Sequence, residues 1–524
     1  MIDTIALAGA AALLCLIWYW QHFRVDNRPK LPPGPKALPV IGNYMDLPPE
    51  GIPEYQHWLK HKDEYGPISS ITIMGNTIVI IHDKDSAHDL LVKQSAETSS
   101  RPHMEFGLDL CGYENLLALS PSNDSHRRRR KLVYQHFGTR AMASQHSHLQ
   151  EIEARRLLLR VLNEPDGLIQ HIKSETNAII LKATYGYSLG PVTADPLLTL
   201  VQKMIDNVKA ALVPMGWFVD IIPALKYLPS GFPGTGFKET ARRWRKTGQD
   251  VANIPYLFVK KQQAVHSHTR SYVSNLLQGK SIGQAKLSHD DEEDIKWSAA
   301  TIYGAGAETT SSVLTSFILA MVMFPGVQRK AQEEIDRVIG SERLPKFEDR
   351  DQLPYIGATV KEAYRWLPTS PMGLPHVAQE DIIFKGHLLP KGAYLLPAVW
   401  WFCHDPDVYA DPETFDPERY LGPRGEPDAT STVFGYGRRT CPGQHFADAT
   451  VFITIAQVLA AFSIKKAVDD QGSEIEAKLE PSPAVTTHPM PFPYSIAPRS
   501  SKHAKLVRDI EVEAPWMQND AALL

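Results

Sequence analysis

Residues 434–443 read FGYGRRTCPG, and an apolar stretch with a helical pattern follows over residues 446–462. A proline–glycine pair separates Cys441 from this stretch, so Cys441 is predicted to lie at the amino terminus of a helix. The positive end of a helix dipole and the neighbouring Arg438 and Arg439 are both expected to lower the pKa of the thiol. The sequence therefore favours a thiolate at Cys441, which is the form that binds metals.

The residues around Cys441 distinguish a metal ligand from a catalytic nucleophile. A nucleophilic cysteine needs a histidine base within reach, and His445 is predicted to project from the far side of the first helical turn. Gly435, Gly437 and Gly443 allow the backbone to approach a large, flat group. A single thiolate in such a glycine-rich loop is better interpreted as an iron ligand.

The composition excludes several classes of protein. Of the 524 residues, 43% are hydrophobic and 22% are charged, which is ordinary for a chain with a large core and excludes a disordered or polytopic membrane protein. The 55 basic and 59 acidic residues give a formal net charge of −4, so no general nucleic-acid surface is expected. The four cysteines show no CxxC spacing, which indicates neither a disulfide framework nor a zinc site.

A long apolar segment upstream of the loop has a polar centre. Residues 290–324 begin with five acidic residues and end before Pro325, which predicts one helix of roughly 50 Å. Its centre, YGAGAETT at 303–310, conflicts with both helix propensity and burial. We interpret it as a distorted helix where glycines admit a ligand and Thr309 hydrogen-bonds to the backbone. The alternatives are a packing notch and a GxGxxG dinucleotide fingerprint, which is disfavoured because no strand precedes it.

Two further patterns complete the predicted fold. Residues 353–367 (LPYIGATVKEAYRWL) have helical periodicity, and Glu362 and Arg365 lie on one face where they can pair. Residues 68–82 contain two β-branched runs around a glycine–asparagine pair at 75–76, which predicts a hairpin. Because helical patterns dominate elsewhere, we predict a mainly α fold with small β-sheets in one large body.

The amino terminus is predicted to be a membrane anchor. Residues 5–20 (IALAGAAALLCLIWYW) carry no charge and end in aromatic residues that suit a membrane interface. Basic residues follow the run, which predicts a cytoplasmic position for the rest of the chain. We expect a retained single-pass helix at 1–23, in preference to a cleaved signal or a buried helix, and a basic, Pro-rich hinge at 24–43.

Taken together, the motifs resemble those of one protein family. The loop matches FxxGxRxCxG at every fixed position: Phe434, Gly437, Arg439, Cys441 and Gly443. The motif AGxET in the long helix (305–309), the ExxR pair and PERY at 417–420 occur in the same order and spacing. The chain thus resembles the cytochrome P-450 family from the anchor to about residue 500.

The resemblance implies a single large haem-thiolate domain at 44–500, followed by a C-terminal tail at 501–524. It implies haem b as the cofactor, with Cys441 as the axial thiolate ligand of the iron. It also implies a buried network that supports the cysteine loop, formed by Glu362, Arg365 and Arg419.

By the same resemblance, Arg439 and His376 contact the haem propionates. A third contact comes from Arg130, at the end of a motif in which His126 stands where the family has tryptophan. The basic run at 126–130 is attributed to haem anchoring and to docking of an acidic reductase, with no role for nucleic acid.

The resemblance further implies a monooxygenase that uses O₂ and electrons from NADPH-cytochrome reductase, at the endoplasmic reticulum membrane. Glu308 and Thr309 would deliver protons during the reaction. The apolar segment 101–120 suits a lipophilic small molecule, and the family style indicates a terpenoid or polyketide secondary metabolite. The alternatives are a non-oxygenating haem-thiolate isomerase or dehydratase, and a non-catalytic haem-binding protein.

Overall fold

The computed structural model of the protein describes residues 29–191, 195–213, 216–281 and 287–524, so the predicted anchor at 1–23 lies outside the described residues. The described residues form a mainly helical fold with small β-sheets, as predicted. The α-helices are α1 Glu54–Tyr65, α2 Lys84–His88, α3 Ser95–Thr98, α4 Asp124–Phe137, α5 Arg140–Ala143, α6 Ser147–Asn163, α7 Leu168–Tyr185, α8 Pro196–Ala211, α9 Phe218–Ile221, α10 Gly236–Ala264, α11 Tyr272–Ser281, α12 His289–Met323, α13 Pro325–Val338, α14 Pro354–Trp366, α15 Val399–His404, α16 Thr430–Val433, α17 Gln444–Ala461 and α18 Ser501–Glu513. The strands are β1 Ile68–Ile73, β2 Asn76–Ile81, β3 His376–Val377, β4 Ile382–Phe384, β5 His387–Leu389, β6 Tyr394–Pro397, β7 Phe462–Lys465 and β8 Ser495–Pro498.

The helix α12 forms the centre of the fold. The hydroxyl of Ser288 caps it by accepting a hydrogen bond from the amide of Asp291, and acidic residues in the first turn complement the helix dipole. It packs against α7, α4 and α17. Among the described helices, α12 is the one long and apolar enough to cross a membrane, but most of that stretch is buried inside the protein. We therefore interpret it as a core helix.

The largest sheet has the strand order β1–β2–β6–β3. Its first two strands form the predicted hairpin, with Ile73 opposite Asn76. The turn is therefore Met74–Gly75, one residue earlier than predicted. Both turn residues have positive φ, 47° and 89°, as a tight two-residue hairpin requires.

The described part of the predicted hinge is fixed to this sheet. Ser70 on β1 donates its amide to the carbonyl of Pro33 (2.9 Å) and its hydroxyl to the carbonyl of Pro32 (2.6 Å). A Cβ on Gly34 would lie 1.8 Å from the carbonyl oxygen of Ser70, so glycine alone permits this approach. Residues 32–34 of the predicted hinge are thus held closely against β1.

Residues 501–524, predicted as a tail, pack on the body of the protein. The helix α18 buries Ile510 in the core that α12 and α17 share. Beyond it, the ring of Trp516 lies against the guanidinium groups of Arg156 and Arg160 on α6, at 5.4 Å and 4.6 Å. These contacts hold the outer surface of α6 against the end of the chain.

Candidate active site

The cysteine loop runs from a short 3₁₀ turn, Gly437–Arg439, to the start of α17. The amide of Cys441 donates to the carbonyl of Phe434 at 2.8 Å, which closes the loop. Gly437 has a φ of +52°, and a Cβ there would lie 2.3 Å from the carbonyl oxygen of Leu91. Cys441 therefore precedes a helix as predicted, while Gly437 is required by packing within the chain.

The pKa of the Cys441 thiol differs from the expectation. Burial raises it above the ordinary value, and the amide of Gly443 and the charge of Arg130 oppose this only in part. The prediction that the helix end, Arg438 and Arg439 lower the pKa was wrong for the cofactor-free chain, because desolvation of the thiolate dominates. A metal bound by the sulfur displaces its proton, so the burial does not prevent ligation.

The polar centre of α12 has two faces with different surroundings. Its glycines face other helices: a Cβ on Gly304 would lie 3.0 Å from Met204 of α8, and one on Gly306 would lie 2.7 Å from Ile180 of α7. Ala305 and Thr309, one turn apart on another face, are exposed although the helix is otherwise largely buried. The glycines thus form a packing notch, and the prediction that they admit a ligand was wrong because neighbouring helices occupy that side. The open space lies instead beside Ala305 and Thr309.

The secondary structure remains α-helical through this centre, and helix rather than strand precedes it, which excludes the dinucleotide fingerprint. The hydroxyl of Thr309 donates to the carbonyl of Ala305 at 2.9 Å, the backbone hydrogen bond that we expected. The Glu308 carboxylate accepts a hydrogen bond from the ammonium of Lys209 on α8. This acid is therefore held by a helix that packs over α12.

Two of the predicted cofactor contacts, Arg130 and Arg439, lie at the cysteine loop together with His126. Arg130 on α4 donates to the carbonyl of Thr440 at 2.6 Å, directly before the cysteine. Arg439 donates to Nδ1 of His126 at 3.1 Å and to the carbonyl of Ser120 at 2.9 Å. Burial and the nearby guanidinium groups lower the pKa of His126 to about 3, so this ring is neutral.

Arg101, the first residue of the apolar segment 101–120, was missed as a site residue by the sequence analysis. Arg101 donates to the carbonyls of Leu374 and Pro375, both at 2.7 Å. It thereby approaches the predicted site residue His376, whose Nδ1 lies 2.9 Å from the carbonyl oxygen of Thr98. Burial and the charge of Arg101 lower the pKa of His376 to about 3.

The three guanidinium groups share an unusual electrostatic environment. Burial and the charges of the other two lower the pKa of Arg101 to about 9, and burial with the charge of Arg130 lowers that of Arg439 to about 10. Burial also lowers the pKa of Arg130. Their hydrogen bonds go to backbone carbonyls or a neutral ring, and none of the three pairs with a carboxylate among the described residues. A ligand with two carboxylates, such as haem, fits this cluster because it supplies the missing negative charge.

The predicted structural network is complete within the protein. Glu362 accepts two hydrogen bonds from Arg365, both at 2.8 Å, and one from Arg419 at 3.0 Å. All three side chains are fully buried. Glu426 and the backbone carbonyls of the loop before PERY satisfy the remaining donors of Arg419. The network joins α14 to this loop, as the motif order predicts.

The four consecutive arginines of α4 point in different directions. Arg127 pairs with Asp124 on the surface, and Arg128 and Arg129 both bind Asp294 at the start of α12. Only Arg130 reaches the cysteine loop. The run therefore does not form one anchoring or docking patch, since a helix turns about 100° per residue.

Comparison with known proteins agrees with the motif order. A sequence model of the family described as cytochrome P450 matches residues 32–495. A multifunctional cytochrome P450 monooxygenase of Aspergillus fumigatus is 48% identical, covering 94% of this chain and 93% of its own. A cytochrome P450 monooxygenase of Gibberella zeae is also 48% identical, covering 97% and 96%. An O-methylsterigmatocystin oxidoreductase of Aspergillus flavus is 40% identical, covering 98% and 96%.

Proposed function

The chain belongs to the cytochrome P450 family, and from that premise we propose a specific role for it. It is a membrane-attached haem-thiolate monooxygenase that hydroxylates a lipophilic secondary metabolite with O₂ and electrons from NADPH-cytochrome reductase. The observation that carries this proposal is a cluster of three guanidinium groups without an acid next to Cys441. Arg439 is buried, and Arg101, Arg130 and Cys441 are partly buried.

The residues that would hold haem b follow from this cluster. Cys441 would bind the iron, while Arg101, Arg130 and Arg439 would neutralise the propionates. Because Nδ1 of His126 accepts a hydrogen bond from Arg439, its proton lies on Nε2. His126 can therefore donate to a propionate in place of the tryptophan of the family.

When bound, haem supplies O₂ activation and insertion of one oxygen atom into a C–H bond, while the other oxygen leaves as water. This reaction requires two electrons and two protons for each oxygen atom inserted. The hydroxyl of Thr309 faces the open space beside α12 and can pass a proton into it. Glu308 is the neighbouring acid, and Lys209 holds its carboxylate toward α8.

Aromatic packing of the segment 101–120 supports a lipophilic substrate. The ring of Phe106, in the segment 101–120, stacks on Trp217 at 3.5 Å, and Trp244 of α10 meets both rings edge-on. An aromatic cluster of this kind suits apolar ligands because the rings pack without requiring hydrogen bonds from the ligand. The relative named for O-methylsterigmatocystin supports a small organic substrate, and we propose a terpenoid or polyketide.

Two surface features support the proposed location and partner. Phe218, Ile222, Tyr227 and Phe232 are exposed within one short segment, which suits contact with the endoplasmic reticulum membrane. Arg438 is exposed within the cysteine loop, which suits an acidic reductase.

Removal of the proposed iron ligand tests the cofactor assignment. Cys441→Ala should abolish the spectrum of the carbon monoxide complex that marks thiolate ligation. Cys403→Ala, which changes a different cysteine that is buried, should retain it. A normal thiolate spectrum in Cys441→Ala would reject the assignment.

An assay in microsomes with added reductase tests the reaction. Products from a terpenoid and polyketide panel, identified by mass spectrometry, should gain one oxygen and require both NADPH and reductase. Turnover without NADPH would instead indicate an isomerase or dehydratase. The absence of any substrate-stimulated NADPH consumption across the panel would favour a non-catalytic haem protein.

A substitution on α12 tests proton delivery. Thr309→Ala should keep haem bound but divert more NADPH to the formation of hydrogen peroxide. The control Thr310→Ala, at a buried neighbouring position, should not increase peroxide formation. Equal coupling in the two variants would remove Thr309 from proton delivery.

A further inference from the structure

Asp294, near the start of α12, is a buried acid that no family motif includes. Only 3% of its surface is exposed. Its carboxylate accepts hydrogen bonds from Nε of Arg128 (2.6 Å), Nε of Arg129 (2.9 Å) and the hydroxyl of Ser125 (3.3 Å). All three donors lie on α4, so one carboxylate joins the central helix to the helix that carries Arg130.

Arg129 extends this connection to the chain before α4. It is 7% exposed, and its Nη1 donates to the carbonyl of Asn115 at 2.8 Å. The amide of Leu117 donates to the hydroxyl of Thr301 on α12 at 3.0 Å, which fixes the same segment a second time. Residues 115–120 are thus held from two sides by α12, once through Arg129 and once directly.

The segment 115–120 in turn holds the guanidinium cluster. Nε of Arg101 donates to the carbonyl of Ala118 at 2.9 Å. Arg439 donates to the carbonyl of Ser120 at 2.9 Å and to that of Leu117 at 3.4 Å. Two of the three guanidinium groups therefore depend on this segment for their orientation, and the third, Arg130, is the residue after Arg129.

We propose that Asp294 and Arg129 are positioning residues for the haem propionates. Their ion pair fixes the rotation of α4 and the position of residues 115–120. The helix α4 and this segment together orient the guanidinium groups toward the propionates. The inference rests on the proposed function, because it assumes that these groups bind haem. Neither residue touches the cofactor, so each acts through Arg101, Arg130 and Arg439.

The test is haem retention in the holoenzyme. Asp294→Asn should release haem to apomyoglobin about tenfold to a hundredfold faster, the range typical for partners that orient the ligands of a metal site. The midpoint potential of the iron should become more negative, because misaligned guanidinium groups compensate the propionates less well. The thiolate spectrum of the carbon monoxide complex should remain, since Cys441 is unchanged.

The control is Glu292→Gln, at a position two residues before Asp294 on α12. It removes a partly exposed ion pair between Glu292 and Lys260 of α10. It should leave both haem release and potential at the wild-type values. Arg129→Lys keeps a charge opposite Asp294 but cannot reach Asn115 in the same geometry, so it should give an intermediate release rate. If Asp294→Asn folds poorly, Arg129→Gln serves as the second variant, with the same expected faster release.

The outcomes separate the two proposals. A holoenzyme in which Asp294→Asn lowers the melting temperature but leaves haem release and potential at the level of Glu292→Gln would overturn this inference alone. A wild-type chain that binds no haem would overturn the proposed function and this inference with it.

Discussion

Two groups of arginines in the protein have partners that differ in kind. Arg365 and Arg419 share the carboxylate of Glu362, and every one of the three side chains is fully buried. Although burial alone would lower it, hydrogen bonds with Glu362 raise the pKa of Arg365 above its ordinary value. In the second group, Arg101 and Arg439 bind only carbonyls and a neutral ring, and their pKa values are lowered.

The difference shows which part of the protein is complete by itself. The Glu362 network satisfies its charges within the chain, so its effect on folding does not depend on a ligand. The cluster around Arg439 carries positive charge that a ligand must neutralise. A buried group of like charges without a counterion is therefore a better indication of a binding site than a buried ion pair.

The largest effect is expected from breaking the self-contained network. Glu362→Gln leaves two buried guanidinium groups without their shared charge, which should cost about 3 to 5 kcal/mol of stability. Urea unfolding should show this loss in both the cofactor-free and the haem-loaded protein. Glu418→Gln, which breaks the exposed pair with Lys330, is the control and should unfold like the wild type. Equal curves for the two variants would contradict the assigned importance of the network.

A single buried acid extends the comparison. Glu175 on α7 accepts one hydrogen bond, from Thr454, and burial raises its pKa to about 8. The folded protein therefore binds more protons than the unfolded chain between about pH 4.5 and 8, and the stability that Glu175 contributes is lost as the pH rises through this range.

Glu175→Gln should accordingly be more stable than the wild type at pH 8, by on the order of 2 kcal/mol. The advantage should disappear as the pH falls below about 4.5, because the wild-type acid is then neutral in both states. Unfolding in guanidinium chloride at several pH values measures this difference in stability between the variant and the wild type. A difference that stays constant with pH would show that Glu175 does not titrate in this range.

In the second group, loss of one charge should affect the ligand more than the fold. Arg101→Met should change the unfolding free energy of the cofactor-free chain by less than about 1 kcal/mol, because relief of repulsion offsets the lost hydrogen bonds. Haem should leave about tenfold faster, since one propionate contact is missing. Arg245→Met, which removes a surface guanidinium that also binds carbonyls, should not alter haem release.

The smallest effect is expected from Arg127, the exposed member of the arginine run. Arg127→Ala removes a surface pair with Asp124 and should change neither stability nor haem release measurably. A marked increase in haem release would show that the run acts as one patch after all, and would weaken the distinction between Arg127 and Arg130.

Helix and motif positions were predictable because their signals are local. The predicted helix 353–367 agrees with α14, Pro354–Trp366, and the long helix agrees with α12 to within about one residue at each end. The helix α14 begins at Pro354 and has strong helical periodicity, and α12 begins with acidic residues and ends before Pro325. The Glu362–Arg365 contact needed only their spacing on one face.

Contacts between distant segments were not predictable in the same way. Arg101 binds carbonyls 273 and 274 residues away, and nothing in its own neighbourhood distinguishes it from a surface arginine. The roles of Gly304 and Gly306 depend on which neighbouring helix faces them. The pKa of Cys441 was mispredicted because the dipole argument is local, whereas burial is a property of the whole fold.

The packing of residues 514–524 affects how the protein should be shortened for crystallisation or expression. Shortened at residue 500, just beyond the end of the matched family model, the chain would lose Trp516. The guanidinium groups of Arg156 and Arg160 would then lose the ring that covers them. Asp520, which accepts a hydrogen bond from the amide of Ser188 after α7, would be lost as well. Any shortened version should therefore keep the chain through Leu524, and an affinity tag there needs a spacer long enough to leave these contacts in place.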